Sequence, residues 1–149
     1  MRQSCSRPGQ SGAVAVEFAL ISVLFVTLLM TIIGFGHWIS TLEMVADATR
    51  AGARMAVVCD LNDADIKAAI QSRVPQLSLA TTQISLQYFP AGCTKNNCRS
   101  VQVSLTGASY GGFIPFLPAA LPMPPFSTSL PRESMESVNG AGETNPVCS

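Results

Sequence analysis

The residue that most clearly requires a charged partner is a single acid, Glu17, which lies at the start of a long apolar run. It lies five positions after Gly12, and the next charged residue along the chain is Glu43. Residues 18–42 are almost wholly apolar and are long enough to form a membrane-spanning helix. A carboxylate in hydrocarbon is costly, because lipid solvates charge poorly. The sequence therefore predicts that Glu17 pairs with a cation, and that another chain supplies it.

Disulfide formation is the second chemistry that the sequence offers. Cys5 precedes the apolar run, whereas Cys59, Cys93, Cys98 and Cys148 follow it. Four cysteines beyond a membrane segment predict an oxidising compartment and two disulfides, with three possible pairings. We favour Cys93–Cys98, because only four residues separate them, and this leaves Cys59–Cys148 to tie the tail to the end of a long helix. Free or mixed thiols are the alternative; a zinc site is disfavoured, because Cys-x4-Cys is loose spacing and no histidine follows it.

The sequence lacks the residues of a catalytic site. The only histidine, His37, lies at the end of the apolar run, so the later part of the chain has no Ser-His-Asp or Cys-His set. The glycines of 107–112 are followed by proline-rich sequence rather than by a helix, which argues against a phosphate-binding loop. Asp60, Asp63 and Asp65 resemble a helix start more than a calcium loop. We therefore expect no enzyme, no cofactor, no metal and no small-molecule substrate.

Charge also excludes one class of partner. The formal net charge is +0, and charged residues make up only 12% of the chain. A nucleic-acid-binding protein needs a basic patch that neutralises phosphates. We therefore expect no nucleic-acid partner.

The elements that must position Glu17 begin with a leader and a membrane span. Residues 1–12 are polar, with Arg2 and Arg7 and no acid, which indicates a cytoplasmic leader. Residues 13–38 are predicted to span the membrane, with His37 and Trp38 at the outer interface. No small-x-small cleavage site ends the run, so we expect the helix to be retained rather than removed as a secretory signal. The cysteine distribution places the N-terminus inside and the rest of the chain outside.

The same helix is predicted to continue outside the membrane over residues 39–58. No proline interrupts the chain between Ala13 and Val58. Four charged residues, expected to form ion pairs along the helix, share one face of this outer part: Glu43, Asp47, Arg50 and Arg54. Small residues form a seam that allows close packing, either against the chain's own domain or against neighbouring copies or relatives: Ala46, Ala48, Gly52, Ala53 and Ala56.

Residues 59–149 are predicted to form a small α+β periplasmic domain. A short helix begins near Asn62 and is ended by Pro75. Alternating residues predict strands over 83–89 and 100–106, which form a β-hairpin with a disulfide near its tip. The stretch 107–131 holds six of the ten prolines, and 113–131 is its proline-rich loop. We expect this loop to cover the core or to contact a partner through its apolar residues, with one short edge strand over 127–130.

Two segments together resemble a known family. They are Gly-Ala-Val-Ala-Val-Glu-Phe-Ala-Leu at 12–20 and Ala-Asp-Ala-Thr-Arg-Ala-Gly-Ala-Arg at 46–54. With the apolar span between them, they resemble the TadE-like family of pilin-like proteins of tight-adherence (Flp, type IVb) pilus systems. The resemblance covers roughly the first 60 residues, and the later domain resembles the family only in layout.

The resemblance implies a processing site and an assembly residue. In such proteins a prepilin peptidase cuts after a glycine, here between Gly12 and Ala13, which makes Glu17 the fifth residue of the mature chain. The equivalent glutamate of pilins meets the free amine of a neighbouring subunit. The implied partners are the inner membrane, the peptidase, other pilins or pilin-like proteins, and the pilus assembly platform.

The resemblance also implies a place and a role. The place is the bacterial inner membrane, in a single pass, with incorporation into a pilus or pseudopilus used for adhesion or secretion. The outer part is larger than in the small major pilins, which favours a minor pilin-like (pseudopilin) component. The alternative is a signal-anchored periplasmic binding or scaffold module. Glu17 separates the two hypotheses, because a mere anchor does not need an acid in the bilayer.

Overall fold

The computed structural model describes residues 10–62, 64–112 and 120–148, with side chains from residue 12 onward. Its dominant element is one helix, α1 (Gln10–Ala56), of 47 residues. At 1.5 Å per residue this helix is about 70 Å long. It begins three residues before the predicted start at 13 and ends two residues before the predicted end at 58. Continuity follows from the lack of proline, since adding residues to an existing helix costs little.

The first half of α1 makes almost no contact with the rest of the chain. Its apolar side chains between Val14 and Phe35 are largely exposed, and none of its most apolar window is buried. One helix, over Gly12–Ala56, is therefore long and apolar enough to cross a membrane. Side chains of this kind are stable when lipid covers them, since water does not solvate so large an apolar surface.

A small α+β domain follows the long helix. It contains α2 (Ala64–Arg73), a 3₁₀ turn (Thr81–Gln83) and five short strands. The strands are β1 (Ile84–Phe89), β2 (Ser100–Leu105), β3 (Ser109–Gly111), β4 (Ala120–Pro122) and β5 (Phe126–Pro131). An antiparallel sheet has the order β1-β2-β5, and β3 pairs with β4 in a separate two-stranded sheet. The α+β class predicted from the sequence is confirmed.

The register of the main sheet points one face of β2 into the core. Leu105 lies opposite Ile84 on β1 and opposite Phe126 on β5. Val101, Val103 and Leu105 alternate with half-buried residues, as expected for the central strand of a sheet with one covered face.

The second half of α1 covers that face of the sheet and forms part of the domain core. It packs against α2, β2 and β5. Gly52 is a point of close approach: a Cβ there would overlap Cδ1 of Ile70 and would lie 2.6 Å from its Cγ1. The small-residue seam is therefore used by the chain's own domain, since four of its five members are buried: Ala48, Gly52, Ala53 and Ala56.

The C-terminal segment returns to the end of α1. The carbonyl of Val57 accepts hydrogen bonds from the amides of Glu133 and Met135, and that of Val58 accepts one from Glu136. Cys59 is disulfide-bonded to Cys148, with their Cα atoms 5.5 Å apart. These bonds connect the last part of the chain to the residues that directly follow the C-terminal end of α1.

The second disulfide closes the connection between β1 and β2. It joins Cys93 to Cys98, with Cα atoms 5.0 Å apart. Both pairs favoured from the sequence are thus disulfide-bonded in this structure.

The proline-rich region is more ordered than the sequence predicted. The strands β3, β4 and β5 all fall within 107–131, and Pro122 and Pro131 each end a strand. A proline is tolerated there because a strand end or edge needs fewer ladder hydrogen bonds. The edge strand predicted over 127–130 is β5. Within the loop predicted over 113–131, Phe113, Phe116 and Leu117 lie outside the described residues, as do the leader residues 1–9 and Asp63.

Candidate assembly site on the N-terminal helix

Gly12 lies in the first turns of α1, where nothing in the fold requires a glycine. A Cβ built on it would meet no atom within 4 Å. A glycine inside a helix costs roughly 0.5–1 kcal/mol relative to alanine. Its presence therefore cannot be explained by packing, in contrast to Gly52 on the same helix.

Glu17 lies one and a half turns further along α1, among exposed apolar side chains. Val16 is 60% exposed and Phe18 is 72% exposed on either side of it. Within the described part of the chain, no hydrogen bond or ion pair involves the Glu17 carboxylate. Among the described residues, therefore, none supplies a cation to this carboxylate.

His37 and Trp38 lie at the other end of the apolar stretch. The His37 side chain is exposed, and Trp38 is half-buried against Phe35, with ring centroids 5.7 Å apart and planes at 87°. The indole nitrogen of Trp38 is buried and has no hydrogen-bond partner among the described residues. An amphipathic ring suits a membrane interface, where one part meets lipid and another meets water.

The spacing between Glu17 and Trp38 matches a bilayer. Their difference of 21 positions corresponds to about 32 Å of helix, close to the ~30 Å thickness of the hydrocarbon core. If Trp38 lies at one interface, Glu17 lies at the opposite one. A carboxylate at that depth can meet a terminal amine that emerges at the same surface.

The described residues contain no cluster of His, Cys, Asp or Glu that could hold a metal ion. The disulfides lie in the distal domain, away from Glu17. The structure therefore groups Gly12, Ala13 and Glu17 within two turns of one helix and separates them from the cysteines. The arrangement can support charge pairing between helices.

The outer half of α1 carries one pairing that the sequence reasoning missed. The predicted ion pairs along the helix are not formed among the described residues. Instead, the Asp47 carboxylate lies 3.9 Å from a guanidinium nitrogen of Arg73, at the end of α2. No local sequence signal could have found it, because it depends on how α2 packs against α1.

The helix that carries this site is also the part of the chain that matches a family model. Residues 12–54 match the family model of TadE-like proteins. The resemblance predicted from the sequence is confirmed over this TadE-like segment. It begins at Gly12 and ends two residues before α1 does, so the match includes the part of the helix that packs in the domain core but none of the chain beyond the helix.

The TadE-like match covers less than a third of the chain. No curated protein matches the sequence. No solved structure matches the fold. The TadE-like segment is therefore the part of the chain that the comparisons describe, and it holds Gly12, Glu17, His37 and Trp38.

Proposed function

We propose that this protein is a minor pilin-like (pseudopilin) component of a tight-adherence (Flp, type IVb) pilus assembly or secretion machine. A prepilin peptidase removes the leader between Gly12 and Ala13 on the cytoplasmic side of the inner membrane. The mature protein stays anchored by α1, with its α+β domain in the periplasm. It then assembles with other pilins or pilin-like proteins and the assembly platform through its N-terminal helix.

The observation that carries this proposal is the TadE-like match over 12–54, on a helix whose apolar first half holds one acid, Glu17, that has no partner within the described chain. TadE-like proteins are structural components of pilus systems, which agrees with the lack of catalytic residues in the sequence. The helix length and its exposed apolar side chains support a single membrane pass. The glycine at 12, which packing does not require, supports recognition by a peptidase.

The proposed cleavage supplies the cation that Glu17 lacks. Cutting the peptide bond before Ala13 creates a free ammonium group at the membrane surface. A charged side chain costs about 2.5–3.5 kcal/mol at the centre of a membrane helix on insertion scales, and an unpaired carboxylate near the start of the apolar run costs less than this. Pairing the Glu17 carboxylate of one chain with the Ala13 amine of another satisfies both groups. The proposed processing and the proposed assembly are therefore chemically linked.

Neutralising the acid tests the assembly role. We expect Glu17→Gln to insert into the membrane and to form both disulfides, but to be lost from the assembled machine. Glu133→Gln is the matched control, because it removes an exposed acid from the distal domain and should assemble normally. Incorporation is measured by the share of each tagged variant that co-purifies with the pilus or pseudopilus fraction. Equal incorporation of the two variants would refute a role for the carboxylate.

The mature N-terminus tests the processing step. Mass spectrometry of the protein from cells with an active prepilin peptidase should find a chain that begins at Ala13. A chain that still begins at Met1 in such cells would overturn the pseudopilin proposal. The remaining hypothesis would then be an anchored periplasmic module.

A further inference from the structure

Three arginines line one groove in the distal part of the molecule. Arg50 and Arg54 line it from the outer half of α1, and Arg73 lines it from the last position of α2. All three are exposed. The groove, which we call the arginine groove, has a volume of about 560 Å³. Ligand sites in proteins occupy roughly 300–1,000 Å³, so this groove can hold a short stretch of peptide as well as a single ion.

Apolar side chains lie beside the arginines. Ala51, Met55 and Val58 line the groove after Arg50 and are half-buried. Val147 lines it from the C-terminal segment and is 51% exposed. The next residue along the chain is disulfide-bonded to the end of α1, which holds this segment in place. The arginine groove therefore combines basic groups with an apolar surface on a fixed backbone.

The chain itself leaves most of this positive charge without a partner. Within the described residues, no ion pair or hydrogen bond engages the side chain of Arg50 or Arg54. The two are four residues apart on one helix, where like charges repel. Asp47 is the one acid among the described residues that line the groove. It lies 3.9 Å from Arg73, with both side chains more than half exposed, so this pair is weak. Three arginines and one aspartate give the groove a net charge of +2, on a chain whose formal net charge is +0.

We propose that the arginine groove binds an acidic segment of a partner protein, in which two or more carboxylates lie beside an apolar side chain. Arg50 and Arg54, about 6 Å apart along the helix axis, bind the carboxylates. The apolar side chain packs against Met55 and Val58. Guanidinium groups suit this role, because their planar fork donates paired hydrogen bonds to the two oxygens of a carboxylate. Charge complementarity and apolar contact thus select the same kind of ligand.

The position of the groove favours a protein segment over an anionic lipid. Arg50 lies twelve residues beyond Trp38, or about 18 Å along the helix axis. The headgroup layer on each side of a bilayer is only about 5–8 Å thick. With Trp38 at the interface, the arginine groove lies beyond the reach of the headgroups. A small anion such as phosphate fits less well, because it would leave Met55 and Val58 uncovered and would be repelled by Asp47.

The groove depends on the folded domain and not on the long helix alone. Arg50 and Arg54 lie within the TadE-like segment 12–54, whereas Arg73 and Val147 lie outside it. The packing of α2 against α1 and the return of the C-terminal segment bring these residues together. A ligand that contacts all three arginines therefore recognises the folded domain of this chain.

Titration with a synthetic peptide tests the proposed ligand chemistry. The probe is a fluorescent peptide of repeated Glu-Glu-Leu units, and its uncharged counterpart repeats Gln-Gln-Leu. We expect the full-length protein in mild non-ionic detergent to bind the first peptide and not the second, as measured by fluorescence anisotropy. Affinity should fall when NaCl is raised from about 0.05 M to about 0.5 M, because salt screens exposed charges. Equal binding of the two peptides would overturn the proposal, and so would binding of neither.

Matched charge variants test whether the peptide binds in the groove. Arg50→Gln with Arg54→Gln should weaken binding of the acidic peptide about tenfold or more. The control, Lys95→Gln with Arg99→Gln, removes the same amount of charge from exposed residues of the β1–β2 connection and should bind as the wild type does. An unchanged urea midpoint shows that each variant is folded. Equal affinities of the two double variants would overturn the assignment to the groove.

These outcomes are separate from those that test the pseudopilin proposal. Peptide binding needs neither cleavage after Gly12 nor the Glu17 carboxylate. A protein that is processed to begin at Ala13 but does not bind the acidic peptide would reject this inference and keep that proposal. Peptide binding by a chain that keeps its leader in the native strain would do the reverse.

Photocrosslinking in the native strain tests what occupies the groove. A photoreactive amino acid is placed at Met55, inside the groove, and in a control protein at Gln87, which is exposed on β1. Mass spectrometry should find position 55, and not position 87, joined to a protein segment with two or more acids. This product should be lost when Arg50→Gln and Arg54→Gln are added. A crosslink to lipid, a crosslink to a segment without acids, or no product from folded and membrane-inserted protein would overturn the proposal.

Discussion

The two disulfides differ greatly in the length of chain that they close, and this gives a quantitative prediction. Cys59 and Cys148 are 89 positions apart, whereas Cys93 and Cys98 are 5 positions apart. A crosslink lowers the entropy of the unfolded chain more when its loop is longer. The two double variants, Cys59→Ala with Cys148→Ala and Cys93→Ala with Cys98→Ala, should therefore lose different amounts of stability.

The loop-closure relation gives the magnitudes. A disulfide that closes a loop of about 90 residues raises the free energy of unfolding by about 4.6 kcal/mol, and one that closes a loop of about 6 residues raises it by about 2.2 kcal/mol. The long-range pair should thus cost about 2.4 kcal/mol more when removed. Packing acts in the same direction, since Cys59 and Cys148 are both buried whereas Cys93 is only half-buried.

Urea unfolding of the full chain in mild detergent, followed by pulse proteolysis of the distal domain, measures the difference. With a slope of about 1–3 kcal/mol per molar urea, the midpoint of the long-range variant should lie about 1 M or more below that of the short-range variant. Wild-type protein treated with a reductant serves as the reference for loss of both bonds. An equal or larger loss from removing Cys93–Cys98 would refute the loop-closure reasoning.

Three further predictions concern α1 and its contact with α2. Gly52→Val should destabilise the domain by about 1–3 kcal/mol, because its side chain would overlap Ile70; the urea midpoint measures this. Ile70→Ala should lower the free energy of unfolding by about 2–5 kcal/mol, since Ile70 is buried. The control variant Ile39→Ala, at a residue that is 52% exposed, should leave the urea midpoint nearly unchanged. Gly12→Leu should keep the fold, because no atom lies within 4 Å of a Cβ at Gly12, but it should prevent production of a chain that begins at Ala13. Mass spectrometry of the mature N-terminus measures this. If the chain beginning at Ala13 is still produced, recognition of the glycine is contradicted.

Much of α1 could be predicted from local sequence because the determinants are local. No charged residue lies between Glu17 and Glu43, and no proline interrupts this part of the chain. These two local features predict a long apolar helix without reference to the rest of the chain. The end of the helix could not be predicted to the residue. The chain leaves the helix after Ala56, and the carbonyls of Val57 and Val58 bond instead to the C-terminal segment. That partner lies more than 70 positions away in sequence, where local periodicity gives no signal.

The sheet shows the same division between local and long-range determinants. β1 and β2 alternate in sequence and are joined by a short connection, so a hairpin was expected and is present. β3 and β4 are three residues each and contain Gly111 and Pro122, which disfavour strands. Their pairing depends on the surrounding fold rather than on residue propensity. A proline-rich composition therefore predicted less regular structure than the domain contains.

The candidate site divides in the same way. Glu17 could be singled out because a lone acid in an apolar run is chemically conspicuous in any sequence. The different reasons for Gly12 and Gly52 could not be separated from sequence, because both are glycines in one helix. Only the position of Ile70 shows that Gly52 is required by close packing, and only the open space at Gly12 shows that packing does not require it.

The continuity of α1 into the domain core has a mechanical consequence. Residues from Val45 to Ala56 are both the upper part of the helix and one wall of the domain, so no hinge separates anchor from head. A rotation of the helix about its axis by one residue, about 100°, would therefore rotate the whole α+β domain through the same angle. The orientation of the α+β domain is therefore fixed by the rotation of the helix about its own axis. A neighbouring protein that binds either the helix or the domain must orient both.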